Sequence, residues 1–587
     1  MIHFGSVWEN SEDGTSSAQG RDFDPPTCIL SALAFFVALL PPPPFLGCEH
    51  GHKFETRSFR DDPLHVTLSS TLTSPPRHLT SHPVRLRQSG PTLRSGISKL
   101  QSPQPFPRSC WSGSLHILPT SVAQPFVMQA PKQINTGFGS CLASIDLEAA
   151  HFAAERLHHL SINPPAPQYP AGSSHGADFH RSSFTMPIAY PRATYSEPLA
   201  GGDSLSELLP GTHEVLSQNA RAVDACHFVP VKVEPTPGLY TPFVRGGTDP
   251  KQLRKRRVLV VERLIPKRAP TNPDAKILIL THGLGFTKEC FIPIVDELLR
   301  TKPNEIEEIW MIDTLGHGMS AVVNRQLDDP SPLEFSDRCI DGNDLARDIL
   351  QFICCFMPST RTSTPVEPSR TLDFHLPRLP RKKLVGIGHS FGGAALTQAS
   401  YHFPDLFDSV ILLESILGTF EQVDRIHAVP LARYTLLKKD RWESREEARA
   451  EADTDKHMQL WHPSVRDAFA AGMLTESLTI PGTYERSADK VAEALSIRGN
   501  RPGMQVSQYL HCLPARLPVL FVSAHKPLLL PLEEIFHTAQ SIPNLHFEVM
   551  TGTHNLPHER PIEIAHRILR FWRETDVTVP FFRESRL

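Results

Sequence analysis

No two cysteines in this chain have the C-x-x-C spacing. The ten that occur are scattered: Cys28, Cys48, Cys110, Cys141, Cys226, Cys290, Cys339, Cys354, Cys355 and Cys512. Structural zinc and thioredoxin-type redox chemistry therefore have no support, and reduced thiols are expected. Charge of one sign is not in excess either. Lys+Arg 59 against Asp+Glu 63 gives a net charge of −4, which excludes a strongly basic surface for nucleic acid. The apolar run Cys28–Leu40 is shorter than the roughly 20 residues a bilayer span needs. Acidic residues (Glu9, Glu12, Asp13, Asp22, Asp24) precede it where an export signal carries positive charge, so no transmembrane span is expected.

Proline is abundant and uneven. Of 55 prolines, 30 fall in residues 1–250. Frequent proline interrupts helix and sheet ladders alike. Residues 1–225 are accordingly expected to be a largely disordered Pro/Ser-rich leader, with Leu142–Leu160 its one helix-like stretch. Met128 and Met186 lie inside it, so residues upstream, as far as 185, could be absent from the functional protein.

From about 226 the pattern changes. Val258–Leu264, Lys276–Thr281, Ile309–Ile312, Lys383–Ile387, Ser409–Leu413, Val519–Ser523 and His546–Met550 read as strands. Helical stretches, Phe291–Leu299 and Asn343–Phe356 among them, alternate with these strands, which are almost continuously apolar. That combination is the mark of a parallel α/β sheet covered on both faces. Ser359–Arg381 reads as a Pro-rich surface loop. About 100 residues between the strands at 409–413 and 519–523 carry only helical signals, Ser444–Ala452 and Val465–Met473, and read as an inserted helical cap at about 416–512. The folded domain is expected to span 226–587.

Gly388-His389-Ser390-Phe391-Gly392 follows a strand and opens a helix. This is the G-x-S-x-G context in which a serine sits on a strained turn with its hydroxyl above the sheet, and glycines flank it because a Cβ would not fit. Ser390 is the candidate nucleophile. The backbone N–H of Phe391 and that of Leu284, in the His282-Gly283-Leu284-Gly285 turn after Lys276–Thr281, are the candidate oxyanion donors. The loop after the last strand carries His554, the candidate base, with His558 as its rival. The acid is open. No Asp occurs between Asp489 and Asp576, where the loop after the penultimate strand would supply one. Glu414, ending the strand after the elbow helix, is the first choice, and Glu533 or Glu534 the alternative.

These residues resemble the α/β-hydrolase fold with a helical cap over about 257–573. Gly316-His317-Gly318-Met319-Ser320 is similar to the D-x-x-G-H-G-x-S stretch common there, and His554–Pro561 to its histidine-bearing ending. His282–Glu289, Gly386–Gly393 and Lys439–Ala448 resemble the fungal peroxisomal lipase and toxin-biosynthesis hydrolases. The resemblance implies a serine hydrolase of carboxylic esters or thioesters acting on an acyl substrate, with no metal or organic cofactor. A serine at 390 argues against dehalogenase and epoxide-hydrolase chemistry, which use Asp. Acyltransfer or lyase chemistry with the same residues, or an idle binding protein, are the alternatives. The C-terminal Ser585-Arg586-Leu587 is a conservative variant of the peroxisomal S-K-L address, so a peroxisomal import receptor is the expected partner and the peroxisome, otherwise the cytoplasm, the expected location.

Overall fold

In a computed structural model the described residues are 145–160, 179–192, 194–196, 227–229, 243–254, 256–327, 341–360, 370–382, 384–418, 428–477, 479–499, 507–527 and 529–578. The run Cys28–Leu40, Met128 and the tripeptide Ser585–Leu587 lie outside them.

The centre is a nine-stranded sheet. In chain order its first seven strands are β1 (Phe179–Pro187), β2 (Val258–Pro266), β3 (Lys276–Thr281), β4 (Ile306–Ile312), β5 (Arg370–Thr371), β6 (Leu384–His389) and β7 (Phe407–Leu413). Three short cap strands follow: β8 (Arg441–Trp442), β9 (Leu474–Glu476) and β10 (Tyr484–Arg486). The last two central strands are β11 (Val519–Lys526) and β12 (Leu545–Thr553). Spatial order is β12-β11-β7-β6-β3-β4-β2-β1-β5. The strands from β12 to β4 are mutually parallel, and β2 runs against both β4 and β1.

The apolar strands are dressed on both faces. Along β3, Ile277 and Ile279 enter one buried cluster while Leu278 and Leu280 enter the other; Val519 and Phe521 of β11 likewise alternate with Leu520 and Val522. This period of two is the pleat. The helices include α1 (Leu147–His158), α2 (Ile292–Thr301), α3 (Gly318–Leu327), α4 (Gly342–Gln351) and α5 (Ser390–His402); the first cluster takes in Leu345 and Ile349 of α4 and Leu396 of α5, the second Ile294 and Leu298 of α2. Among the described residues no helix is long and apolar enough to cross a membrane.

Three expectations are corrected. First, the folded domain begins before residue 226, because β1 pairs with β2 along its whole length. Its Arg181 guanidinium donates to both carboxylate oxygens of buried Glu262, at 2.6 and 2.9 Å. A single strand 70 residues upstream carries too little pattern to be assigned to a sheet from sequence. Second, the Pro-rich segment is not only loop, since β5 adds to the sheet edge beside β1. Third, the cap is not only helical. Between β7 and β11 it holds α6 (Ala428–Leu437), α7 (Arg445–Thr454), α8 (Pro463–Gly472) and α9 (Lys490–Gly499), but also the antiparallel sheet β8-β10-β9. Strands of two or three residues are too short to show alternation.

A chain beginning at Met186 should therefore fail to fold. It lacks Phe179–Thr185 and leaves Glu262 buried without its bidentate partner, a loss of about 3–5 kcal/mol by itself. A chain beginning at Met128 keeps β1 and should give soluble protein; comparison of soluble yield and thermal midpoint checks both.

Candidate active site

The site is assembled at the carboxyl ends of β3, β6, β7, β11 and β12. β6 ends at His389 and α5 begins at Ser390 with no residue between. Ser390 has φ 52, a left-handed conformation that costs a non-glycine residue on the order of 1–3 kcal/mol. Neighbouring glycines make room for it. A Cβ on Gly388 would lie 2.6 Å from Gly393 Cα, and one on Gly392 would lie 2.5 Å from the carbonyl oxygens of Thr281 and His282. The Thr281 hydroxyl donates to the Gly392 carbonyl at 3.0 Å and ties the end of β3 to the turn.

The Ser390 hydroxyl lies 2.8 Å from His554 Nε2, and His554 Nδ1 lies 3.1 Å from Glu414 Oε2. An ionised carboxylate only accepts, so Nδ1 carries the proton and donates to Glu414, leaving Nε2 to accept from the Ser390 hydroxyl. Glu414 has φ 47, the one other positive-φ non-glycine among the described residues. Its Oε1 accepts from the Ser523 hydroxyl at 2.9 Å and from the Ala524 N–H at 2.5 Å. The carboxyl end of β11, which has no acid of its own, thus holds the carboxylate supplied from the end of the neighbouring strand.

The turn after β3 lies directly against Ser390. A Cβ on Gly283 would sit 3.0 Å from Ser390 Cβ, so Leu284, the next residue, is at the edge of the elbow. Its N–H has no acceptor among the described residues. Two neutral histidines hold this turn to the loop after β4. His282 donates from Nδ1 to the Gly283 carbonyl at 2.8 Å and accepts at Nε2 from the Thr314 N–H at 3.1 Å. His317 Nε2 accepts from the Gly285 N–H at 3.0 Å. Burial pushes the His282 imidazole down to about 4 and lowers that of His317, which keeps both able to accept.

The rival residues are elsewhere. Glu533 and Glu534 occupy the first turn of α10 (Leu532–Ala539), and neither bonds to His554 among the described contacts. His558 is fully buried, and its ring stacks on Phe286 with centroids 4.1 Å apart. Neither of its ring nitrogens has a hydrogen-bond partner among the described residues, and burial drives its pKa down to about 3. His389, not singled out in the sequence, is also buried; its Nε2 lies 3.0 Å from the His554 carbonyl. Its place one residue before the serine was the available signal. Among the described residues no group of three or more His, Cys, Asp or Glu side chains is placed to hold a metal ion.

Residues 278–567 match the model of the alpha/beta hydrolase family. The domain has the alpha/beta hydrolase fold. Type I acyl-CoA thioesterase mpaH of Penicillium brevicompactum is 34% identical over 195 residues, 32% of this chain and 38% of that protein. Peroxisomal membrane protein LPX1 of Saccharomyces cerevisiae is 30% identical over 145 residues, 24% of this chain and 31% of that one. The chain thus spans only 38% and 31% of the length of these two curated relatives. Among solved structures, peroxisomal alpha-beta-hydrolase Lpx1 of Saccharomyces cerevisiae aligns at TM-score 0.46 and 17% identity, covering 70% of this chain and 93% of that chain.

His558 gives a test of which histidine matters. In the unfolded chain its imidazole takes a proton near pH 6.5, but in the fold only near 3. Between those values the unfolded state binds more protons, so stability rises with pH, by about 1.4 kcal/mol per unit for this group. Replacing His558 by Phe should remove that contribution to the slope of unfolding free energy between pH 6.5 and 4. It should leave turnover within a few-fold of wild type, whereas His554→Ala should abolish it. Denaturant titrations at several pH values and an ester assay measure both.

Proposed function

We propose that this protein is a serine hydrolase that cleaves carboxylic esters or thioesters of an acyl substrate through an acyl-enzyme. The observation that carries the reading is the continuous chain Ser390 Oγ–His554 Nε2 and His554 Nδ1–Glu414 Oε2, with Ser390 on a strained strand-to-helix turn. Ser390 attacks the acyl carbonyl as His554 takes the hydroxyl proton. Glu414 fixes the His554 tautomer and stabilises the imidazolium. The Leu284 and Phe391 N–H groups receive the oxyanion, helped by the N-terminus of α5. His554 then protonates the leaving alcohol or thiol, and water repeats the sequence to release the acid.

Names of the relatives point to acyl-CoA thioesters as the first substrates to try. A fluorophosphonate probe should label Ser390 in folded protein. A chain-length series of acyl-CoAs and acyl esters should then show saturable hydrolysis. No labelling would support a binding protein, and acylated product with an alcohol acceptor would support a transferase.

The Ser585-Arg586-Leu587 ending supports action in the peroxisome through the import receptor. A fluorescent protein carrying the last residues of this chain should enter peroxisomes, and deletion of Leu587 should leave it diffuse. Punctate fluorescence without Leu587 would remove this assignment.

A further inference from the structure

We propose that Arg486, in the cap, is a positioning residue that holds the oxyanion turn in its working shape, so that seating of the cap and readiness of the Leu284 N–H are one event. This rests on the proposed roles of Ser390 and Leu284.

The contact crosses 201 residues of sequence. The Arg486 guanidinium donates from Nη2 to the Gly285 carbonyl oxygen at 2.8 Å. The donor side is rigidly mounted. Arg486 ends β10, pairs with Leu474 of β9, and its own N–H bonds to the Asp440 carbonyl at 2.9 Å. The next residue, Ser487, is fastened to the Met473 carbonyl by both its N–H and its hydroxyl.

The acceptor side is the turn that carries Leu284. Gly285 has φ +78, open to glycine and strained for other residues, and its two peptide groups are held from opposite sides. Its N–H goes to His317 of the core and its carbonyl to Arg486 of the cap. A second cap residue closes over the same spot. Glu493 of α9 is so near that a Cβ on Gly285 would lie 2.4 Å from its carboxylate oxygen. Glu493 is fixed there by Lys438, the residue after α6, at 3.0 Å, and by the Thr435 hydroxyl of α6 at 3.3 Å. The start of α9 is also tied to the core, through the Asp489 N–H on the Gly316 carbonyl at 3.0 Å.

The peptides on both sides of Gly285 are therefore held, one residue from the proposed donor. Without Arg486 the Gly285 carbonyl loses its cap partner, and the far side of the turn is left to the His317 bond and the long Phe286 N–H bond to the Gly283 carbonyl at 3.3 Å, with His282 holding only the Gly283 end. An oxyanion donor moved by about 1 Å stabilises the transition state far less, while substrate binding is hardly affected.

The test combines a reaction-independent and a reaction-dependent measurement on the full chain, in Arg486→Ala and Arg486→Lys. Hydrogen exchange of the Gly285 amide should be faster in Arg486→Ala. Its kcat for an ester and its affinity for an alkyl trifluoromethyl ketone, which forms an oxyanion on Ser390, should fall together by roughly 10- to 100-fold. KM should change little, and Arg486→Lys should recover part of both losses. Unchanged exchange overturns the proposal, as does faster exchange with kcat and ketone affinity at wild-type values. A loss confined to KM would make Arg486 a substrate-binding residue and also overturn it. Wild-type protein that neither labels with fluorophosphonate nor turns over esters would instead remove the catalytic reading, while the exchange data still report on the clamp.

Discussion

Replacing Ser390 by alanine should lower kcat by roughly 10⁶-fold and abolish fluorophosphonate labelling. The argument is stereochemical. The Ser390 hydroxyl is the one bonded to His554 Nε2, and it stands on the turn that Gly388, Gly392 and Gly393 make possible. Alanine fits the same φ of 52 no worse than serine, so the fold should persist and the thermal midpoint should stay close to wild type. What disappears is the atom that would accept the acyl group. Residual hydrolysis would come from the oxyanion donors and from substrate binding alone. A Ser390→Ala protein that retains a tenth of wild-type kcat would sink the acyl-enzyme reading.

Glu414→Gln should lower kcat by roughly 10⁴-fold with little change in KM. The size of the effect follows from the hydrogen-bond directions around the carboxylate. Oε1 sits against two donors, the Ser523 hydroxyl and the fixed Ala524 N–H. In the glutamine variant the carbonyl oxygen must take that position, because an amide NH₂ facing a backbone N–H would be repelled. The NH₂ is then aimed at His554 Nδ1. Nδ1 becomes the acceptor, the ring proton moves to Nε2, and Nε2 can no longer take the proton of Ser390. Turnover within tenfold of wild type would remove Glu414 from the mechanism. Partial recovery of rate at high pH in Glu414→Asp but not in Glu414→Gln would mark the need for a carboxylate at this place. Both variants keep a polar group of similar size in a buried position, so a loss of rate with an unchanged unfolding transition separates this role from a general collapse of the site.

The features readable from the sequence are those whose causes lie within a few residues. Lys276–Thr281 forms a strand buried on both faces, and its continuous apolar run says so directly. The glycines around Ser390 are required by contacts between residues 388 and 393, so their spacing marks the turn before any fold is known. The approach of Gly392 to the Thr281 and His282 carbonyls is long-range, yet it imposes the same demand on the same glycine. His554 could be favoured over His558 because it follows the last strand; the two differ in environment, open to Ser390 in one case and sealed against Phe286 and Trp461 in the other.

Tertiary structure decided what depends on which strands become neighbours. Glu414, Glu533 and Glu534 were all open to the acid's place by their positions in the chain. Because β7 lies beside β11, the Ser523 and Ala524 donors meet Glu414, while Glu533 and Glu534 are carried away on α10. The membership of β1 in the sheet rests on pairing with β2 across more than 70 residues and on the Arg181–Glu262 contact, neither of which leaves a local signal. The grip of Arg486 on Gly285 is longer still. Backbone sterics and apolar periodicity are written into short stretches of chain, so the sheet's central strands and the glycine-flanked turn at Ser390 are legible there. Hydrogen bonds between distant strands, and between cap and core, exist only after the chain has folded, so the surroundings of Glu414, the edge strand and the contact of Arg486 with the Gly285 turn arise only at the tertiary level.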